Sequence, residues 1–230
     1  MRDRSTPTAR GASHSSVSVD IVVCAPQGRA LTTLLVRGAT GARDKWTLPW
    51  AWCAPGASPD DIAARAAADA LGARPSWIAQ VGATGDAKRH PGGAELSIGY
   101  AAVTPVRERA ESPNVQWFSV AQLPPLAPRQ AALVTAAQLA LRERLDTAPI
   151  AFRLLPATFT LTELQEVYEL LLARRVHKAS FRRSLQAAWL VEPTDEWRSE
   201  GRGRPAQLFR FAPRKRRGGR RGVRFELLGG

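Results

Sequence analysis

The sequence has only two cysteines, Cys24 and Cys53, in 230 residues, so it offers neither a disulfide framework nor a cysteine-based metal site. Both are interpreted as thiols of a reducing compartment. No apolar run approaches the roughly 20 residues that span a bilayer. Residues 1–15 are polar and lack the apolar segment of a secretory signal, which predicts a flexible arm. We therefore expect a cytoplasmic protein with no membrane partner.

Acidic residues are fewer than basic ones, and the excess of basic residues is largest toward the C-terminus. The chain has 33 Lys and Arg against 20 Asp and Glu, a net charge of +13. Residues 151–230 hold 17 of the basic residues and 8 of the acidic ones. This asymmetry indicates that the C-terminal part meets a polyanion, nucleic acid before membrane. The alternative explanation is that the chain is rich in arginine because its genome is GC-rich.

The first part of the chain, residues 16–148, reads as an α/β domain. Alternating or continuous apolar runs predict strands at 16–25, 30–38, 76–82, 94–104 and 115–120, the first two pairing as a hairpin or near neighbours. Cap signals at Ser58, Pro59 and Gly72 predict a helix over 58–71. A second helix is predicted over 129–145. Strands interspersed with two helices indicate a mixed sheet sandwiched between helices.

The pattern changes in residues 149–212. Two helices are predicted, at 161–173 and 179–188, separated by the short linker RRVHK. The strands EPTDEW and AQLFRF follow, with a basic Gly/Pro loop between them. Helix, turn, helix and a two-stranded wing make a winged helix-turn-helix domain. Residues 213–230 read as a basic, low-complexity tail.

The stretch PGASPDDIAARAAADALGA (55–73) resembles the helix of a Nudix hydrolase. Aligned on Gly72, the motif arginine falls on Arg65, but its three helix glutamates fall on Ala66, Asp69 and Ala70. Its first glycine and first acid fall on Ala51 and Ala57. The preceding KWTLPWAW (45–52) resembles the loop before that motif, with Trp50 and Ala51 in place of two glycines.

The altered motif predicts that the domain is not an enzyme. Mg²⁺ is usually held by one or two carboxylates together with substrate phosphates, and only the short carboxylate of Asp69 remains here. Asp60 and Asp61 lie near the start of the helix, where their charges are expected to stabilise the helix dipole rather than to bind a metal ion. We therefore expect no catalytic residue, no metal site and no required cofactor.

Both halves together resemble the NrtR family of Nudix-related transcriptional regulators of NAD metabolism. The resemblance is strongest in IAFRLLPATFTLTELQEVYELLL, FRRSLQAAWLVEPT and GRPAQLFRF. It implies a Nudix-like domain that binds ADP-ribose or a related nucleotide and a winged helix that binds operators of NAD biosynthesis genes as a homodimer. By position, the nucleotide site falls on Arg37, Lys45, Trp46, Arg65 and Asp69. The alternatives are core packing for Trp46 and helix orientation for Arg65.

The second helix of the winged domain is the candidate recognition helix. Helical spacing places Phe181, Leu185 and Ala188 toward the core. The polar and basic residues around and opposite them are the candidate DNA contacts, more of them to phosphates than to bases: Arg174, Arg175, His177, Lys178, Ser180, Arg182 and Arg183. Arg174 and Arg175 have helix capping as an alternative role.

The wing loop contains Arg202-Gly203-Arg204-Pro205, which also looks like an AT-hook core. Arg202 and Arg204 are therefore predicted to enter a minor groove or contact phosphates, with a solvated loop as the alternative. The basic tail and the arm are expected to add nonspecific, salt-sensitive affinity.

The sequence thus predicts a bacterial repressor that binds a palindromic duplex as a homodimer, is associated with the nucleoid when bound, and has ADP-ribose or a related nucleotide as its effector. The dimer surface is unassigned, with the 129–145 helix as one hypothesis. Two rivals stay open: an active hydrolase of ADP-ribose-type nucleotides with an appended DNA-binding domain, and an RNA-binding Nudix relative.

Overall fold

The first domain is built on a seven-stranded mixed sheet. The computed structural model describes residues 16–40, 42–43, 45–105, 112–199 and 205–212. The strands are β1 (Val17–Gln27), β2 (Ala30–Arg37), β3 (Trp46–Thr47), β4 (Trp50–Trp52), β5 (Trp77–Thr84), β6 (Leu96–Val103) and β7 (Val115–Ser119). Their order is β3-β2-β1-β6-β5, with β4 also paired to β1 and β7 to β2. Only the β1–β6 pair is parallel among these strands, so the mixed sheet is confirmed.

The hairpin between β1 and β2 follows from its turn. Gln27 pairs with Ala30, and Gly28 between them has a φ of 56°, which a glycine adopts without strain at the first central position of a two-residue turn. The strands carry apolar side chains on both faces because a helix covers each face. The predicted pairing of these two strands is confirmed.

The two covering helices are α1 (Pro59–Leu71) and α2 (Pro128–Glu143). Helix α1 packs on the face that carries Val19, Ile21 and Val23, and α2 packs on the face that carries Val22 and Cys24. The predicted caps of α1 are present. The Asp61 amide donates to Ser58 Oγ at 3.4 Å, and Gly72 ends the helix with a φ of 68°.

The second domain has the predicted winged-helix order. It comprises α3 (Ile150–Arg153), β8 (Thr158–Phe159), α4 (Leu161–Leu172), α5 (Lys178–Ala188), β9 (Val191–Arg198) and β10 (Ala206–Phe211). Strands β8, β10 and β9 form a three-stranded sheet in that order. Thr160 and Glu163 make a complete capping box at the start of α4. Tyr168 of α4 meets Phe181 of α5 edge to face, with ring centroids 5.1 Å apart.

The two domains share one hydrophobic core. Leu141 of α2 and Leu35 of β2 belong to the same buried cluster as Leu164 and Tyr168 of α4. We propose that the boundary lies at residues 148–149, between the 3-10 turn Arg144–Asp146 and α3. Because the core is continuous, α4 is anchored directly on the helix that covers the first sheet.

The elements that the sequence did not predict are the shortest ones. Strands β3 and β4 lie in a segment predicted as loop, and α3 and β8 have four and two residues. Such lengths are too short to show a period. Within the described ranges, no helix is both long enough and apolar enough to cross a membrane. The predicted arm (1–15) and basic tail (213–230) lie outside the described residues.

Candidate functional site

A cavity of about 940 Å³ opens in the first domain between the segment after β2, strand β4 and helix α1. The segment after β2 is folded back by hydrogen bonds from the Gly38 amide to the Lys45 carbonyl (2.9 Å) and from the Arg37 amide to the Asn114 carbonyl (2.8 Å). Three basic side chains line the cavity as a result: Arg37, Arg43 and Lys45. The volume lies in the range of small-molecule sites, about 300–1,000 Å³.

The α1 wall of this cavity carries the altered motif. Ala66, Asp69 and Ala70, spaced by three and one along the helix, all line the cavity. They are the positions that the Nudix resemblance assigns to metal-binding glutamates. Among the described residues no group of three or more His, Cys, Asp or Glu stands close enough to hold a metal ion. The described residues of the cavity therefore combine a basic rim with one wall carboxylate, that of Asp69.

Two residues predicted for the nucleotide site do not line this cavity. Trp46 is only 8% exposed and packs against Phe118, with ring centroids 5.2 Å apart, in the core shared with α2. Arg65 is an exposed residue of α1 that lines an adjoining pocket, and its Nε donates to the Asp61 carbonyl at 3.4 Å. Neither lines the cavity that holds Arg37, Lys45 and Asp69. Their positions correspond to the alternatives of core packing and helix orientation.

Behind the cavity lies a buried polar network centred on Asp20, a fully buried residue of β1. Asp20 Oδ1 accepts from His90 Nε2 (3.0 Å) and Gln130 Nε2 (2.7 Å), and Oδ2 accepts from Ser18 Oγ (2.7 Å). His90 Nδ1 in turn accepts from the Gly92 amide at 3.0 Å, which assigns the ring proton to Nε2. The His90 ring packs against Trp50 of the cavity wall, with centroids 4.8 Å apart.

The same network reaches the start of α2. Gln130 Oε1 accepts from the Leu48 amide at 3.0 Å while its Nε2 binds Asp20. Its neighbour Arg129 is buried and donates to the carbonyls of Ala94 (2.6 Å) and Asp86 (2.5 Å). The first turn of α2 is thus tied to β1 and to the loop that carries His90. A chain of contacts runs from the cavity wall to the helix on which α4 packs.

The candidate recognition helix, α5, presents the predicted basic face. Phe181 and Leu185 of α5 are buried, and Lys178, Arg182 and Arg183 are exposed. His177 occupies the N-cap position and its Nδ1 lies 3.3 Å from Ser180 Oγ, which is half-buried. The face opposite the core is therefore positively charged along the helix.

The turn between α4 and α5 is held by Glu169. Its Oε1 accepts from the Val176 amide and from Gln165 Nε2, both at 3.0 Å, and its Oε2 pairs with Arg175 at 3.0 Å. Burial by itself raises the pKa of this carboxyl, but the hydrogen bonds from Val176, Gln165 and Arg175 outweigh it, so the pKa lies below its usual value. Arg175 thus has a partner within the turn, and Arg174 lies exposed beside it.

The wing is tied to the start of α4. Arg198, the last residue of β9, donates to Glu163 Oε1 at 2.7 Å, and Glu163 also closes the capping box of α4. Arg198 pairs with Ala206 across the wing. The predicted contacts Arg202 and Arg204 belong to the loop between these two residues and lie outside the described residues.

Several site residues were missed from the sequence. Arg43 stood in an unassigned loop without any periodic signal. His90 is a lone histidine between two strands. Asp20 did carry a signal, since it is a charged residue in the middle of the apolar run SVSVDIVV, and a charge buried in a strand requires partners.

Comparison with known proteins agrees with this two-domain arrangement. A family model described as the NrtR DNA-binding winged helix domain matches residues 151–211. A curated Acinetobacter baylyi protein, named ADPR responsive transcriptional repressor NtrR, is 33% identical over 142 residues, which are 59% of this chain and 56% of that protein. The chain therefore spans about half the length of that curated relative.

Solved structures cover more of the chain. The crystal structure of Shewanella oneidensis NrtR matches with a TM-score of 0.74 and 26% identity over 86% of this chain and 94% of that one. The structure of the same protein complexed with a 27mer DNA matches with a TM-score of 0.73 and 27% identity over the same shares. The resemblance to the NrtR family is confirmed, and the fold is a Nudix-like domain followed by an NrtR-type winged helix.

Proposed function

We propose that this protein is a transcriptional repressor of NAD biosynthesis genes that binds DNA through its winged helix and senses ADP-ribose or a related nucleotide in its Nudix-like domain. One observation carries the proposal: a cavity with a basic rim connects through Trp50, His90, Asp20 and Gln130 to α2, and α2 shares a hydrophobic core with the winged domain and its basic helix. The relative named as an ADPR responsive repressor and the NrtR structure with DNA support it.

The nucleotide is bound and not consumed. A Nudix-type hydrolysis needs carboxylates to hold divalent ions against the pyrophosphate, and the cavity wall offers Asp69 between two alanines. Arg37, Arg43 and Lys45 supply positive charge that a diphosphate requires without a metal. No metal or other cofactor is therefore required in this proposal.

The DNA partner is a palindromic operator, and the protein binds it as a homodimer in the bacterial cytoplasm. A single winged helix reaches few base pairs, so two-fold pairing is the economical route to specificity. Lys178, Arg182 and Arg183 of α5 contact phosphates and base edges, and Arg202 and Arg204 extend the contact from the wing. His177, Ser180, Arg174 and Arg175 flank this surface.

Effector control follows from the contact chain between the two sites. A ligand that displaces Trp50 or the basic segment after β2 acts on His90, Asp20 and the start of α2, and α2 carries α4. Energetic linkage requires that DNA change nucleotide affinity by the same factor as the nucleotide changes DNA affinity. The chain of hydrogen bonds from His90 through Asp20 to Gln130 of α2 provides a direct route for such a coupling.

The test is fluorescence anisotropy of the full chain with a palindromic duplex from upstream of an NAD biosynthesis operon, with and without ADP-ribose, at about 150 mM salt. We expect specific binding that ADP-ribose changes. The Arg182→Ala/Arg183→Ala double variant is expected to lower DNA affinity and to reduce the salt slope by about two, if each arginine meets one phosphate. Arg37→Ala is expected to abolish the effect of ADP-ribose and to leave DNA binding intact.

Arg74→Ala is the matched control, because Arg74 is an exposed arginine of the first domain outside both proposed sites. It should change neither affinity. DNA binding that ignores saturating ADP-ribose would contradict the sensor. Turnover of ADP-ribose with Mg²⁺ that disappears in Asp69→Ala would establish the hydrolase instead, and preference for single-stranded RNA would establish the RNA-binding alternative.

A further inference from the structure

We infer that the first domain also contacts DNA, through Arg29 in the turn between β1 and β2, which binds a backbone phosphate beside the winged helix. The inference rests on the proposed DNA binding. Arg29 follows Gly28 in the two-residue turn, and its side chain is exposed. It lines a second cavity, of about 360 Å³, whose other walls come from the second half of α4 and from the turn that leads to α5.

Three arginines gather at this second cavity. Arg29 comes from the first domain, and Arg174 and Arg175 come from the turn before α5. Arg175 pairs with Glu169, yet 76% of its side chain remains exposed. Within the part of the chain that the structure describes, Arg29 forms no hydrogen bond and no ion pair. Like charges that lie close together repel each other, so an anion that binds between them stabilises the group, and arginine is well suited to phosphate.

Two carboxylates line the same cavity and oppose such an anion. Glu169 is already engaged, because it accepts from the Val176 amide and from Arg175, both at 3.0 Å. Glu166, about one helical turn earlier, has no hydrogen-bond or ion-pair partner among the described residues. The lining therefore carries three positive charges against two negative ones. The acids reduce the positive charge of the cavity without cancelling it.

The place of the cavity in the winged domain indicates which anion it binds. In a helix-turn-helix the second helix lies in the major groove and the first helix crosses the DNA backbone. The cavity lies on the first helix, α4, and on the turn just before α5, whose basic face begins at Lys178. Each strand of a duplex offers a phosphate about every 3.4 Å along its axis. A backbone that α4 crosses therefore brings phosphates to the end of the helix at which Arg29 lies.

Fluorescence anisotropy of the full chain with two duplexes tests this contact. The palindromic duplex described above is compared with a duplex of the same length and random sequence. A phosphate contact carries no sequence information, so Arg29→Ala should weaken the binding of both duplexes by the same factor. It should also lower the salt slope by about one per bound protomer, which makes the fall in affinity between about 50 and 200 mM salt about 3.5-fold smaller per protomer. Arg29→Lys keeps the charge and should keep the wild-type slope.

Two further variants separate a local contact from a general effect of charge. Arg74→Ala removes the same charge from another exposed arginine of the first domain, one that lies outside this cavity, and should keep the wild-type slope. Glu166→Gln removes an acid from the cavity and should strengthen the binding of both duplexes. Thermal unfolding of each variant verifies that the fold is retained.

Each outcome has a definite meaning. A wild-type protein that binds neither duplex overturns the proposed function and the Arg29 contact together. If the wild type binds and Arg182→Ala/Arg183→Ala binds more weakly, a wild-type salt slope in Arg29→Ala overturns the contact alone. An equal loss of slope in Arg74→Ala also overturns it, because the effect is then one of net charge. Unchanged or weaker binding by Glu166→Gln overturns it as well, because the cavity then does not face a polyanion.

Discussion

Asp20→Ala is the sharpest perturbation of the buried network behind the cavity. The carboxylate accepts hydrogen bonds from His90, Gln130 and Ser18, and its side chain is fully buried. Ser18 Oγ keeps a second partner, Ser97 Oγ at 2.9 Å. Truncation therefore leaves two buried donors without an acceptor, those of His90 and Gln130. A buried polar group left unpaired costs about 1–3 kcal/mol.

Two such groups imply a loss of about 2–6 kcal/mol in the free energy of unfolding, and the lower half of that range is expected because the removed carboxylate no longer has to be desolvated. For a chain of this size, 1 kcal/mol corresponds to about 2–4 °C in Tm. We therefore expect Tm to fall by about 4 °C at least. The indole of Trp50 should also become more mobile, because His90 packs against it.

Asp20→Asn and Ser97→Ala are the matched controls. An asparagine keeps an oxygen for His90 and Gln130 and offers its amide to Ser18, so it should cost about 1 kcal/mol. Ser97→Ala removes one hydroxyl from the edge of the network and should cost a similar amount. Urea and thermal unfolding of all three variants provide the comparison. An Asp20→Ala protein within about 1 kcal/mol of wild type would refute the reasoning.

Two further predictions follow from perturbed groups. Burial raises the pKa of the Cys24 thiol to about 12. A thiol reagent near pH 8 should therefore modify only the partly exposed Cys53 in the native protein, and both cysteines after unfolding. Rapid labelling of the native Cys53→Ser variant would contradict this. The pKa of Glu169 is lower in the folded than in the unfolded protein. Its contribution to the free energy of unfolding is therefore complete above the unfolded pKa and is lost as pH falls through the folded pKa. The stability difference between wild type and Glu169→Gln, measured by urea unfolding, should therefore shrink from pH 7 toward about pH 4, and a difference that grows in acid would contradict it.

Much of the fold was readable from local signals. The caps at Ser58 and Gly72 delimit α1 within a residue because they satisfy backbone groups that only a helix end exposes. The apolar residues of β1 and α5 point inward as their periods predict. The two-residue strand β3 was not readable because tertiary pairing with β2 creates it.

The sequence predicted the cavity residues whose positions follow from a motif, but not the residues whose positions depend on packing. Ala66, Asp69 and Ala70 line the cavity because helical spacing places them on one face. Trp46 and Arg65 do not line this cavity, and a sequence does not show which side of a short strand or helix faces a cavity, so their role at the nucleotide remains a prediction. His90 and Gln130 meet Asp20 from 70 and 110 residues away, a distance over which no local pattern extends.

We propose that the alanines of the altered motif and the basic rim both favour binding of a diphosphate without metal ions. Glutamates at residues 66 and 70 would make the cavity wall anionic, and a diphosphate would then need divalent ions to approach it. With Ala66 and Ala70 in place, Asp69 is the one carboxylate among the described lining residues, and we propose that Arg37, Arg43 and Lys45 outweigh its charge and attract the phosphates. A site of this kind holds its ligand without the metal that would activate water. Stable occupancy is what a sensor requires, because a ligand shifts an equilibrium between two conformations only while it remains bound.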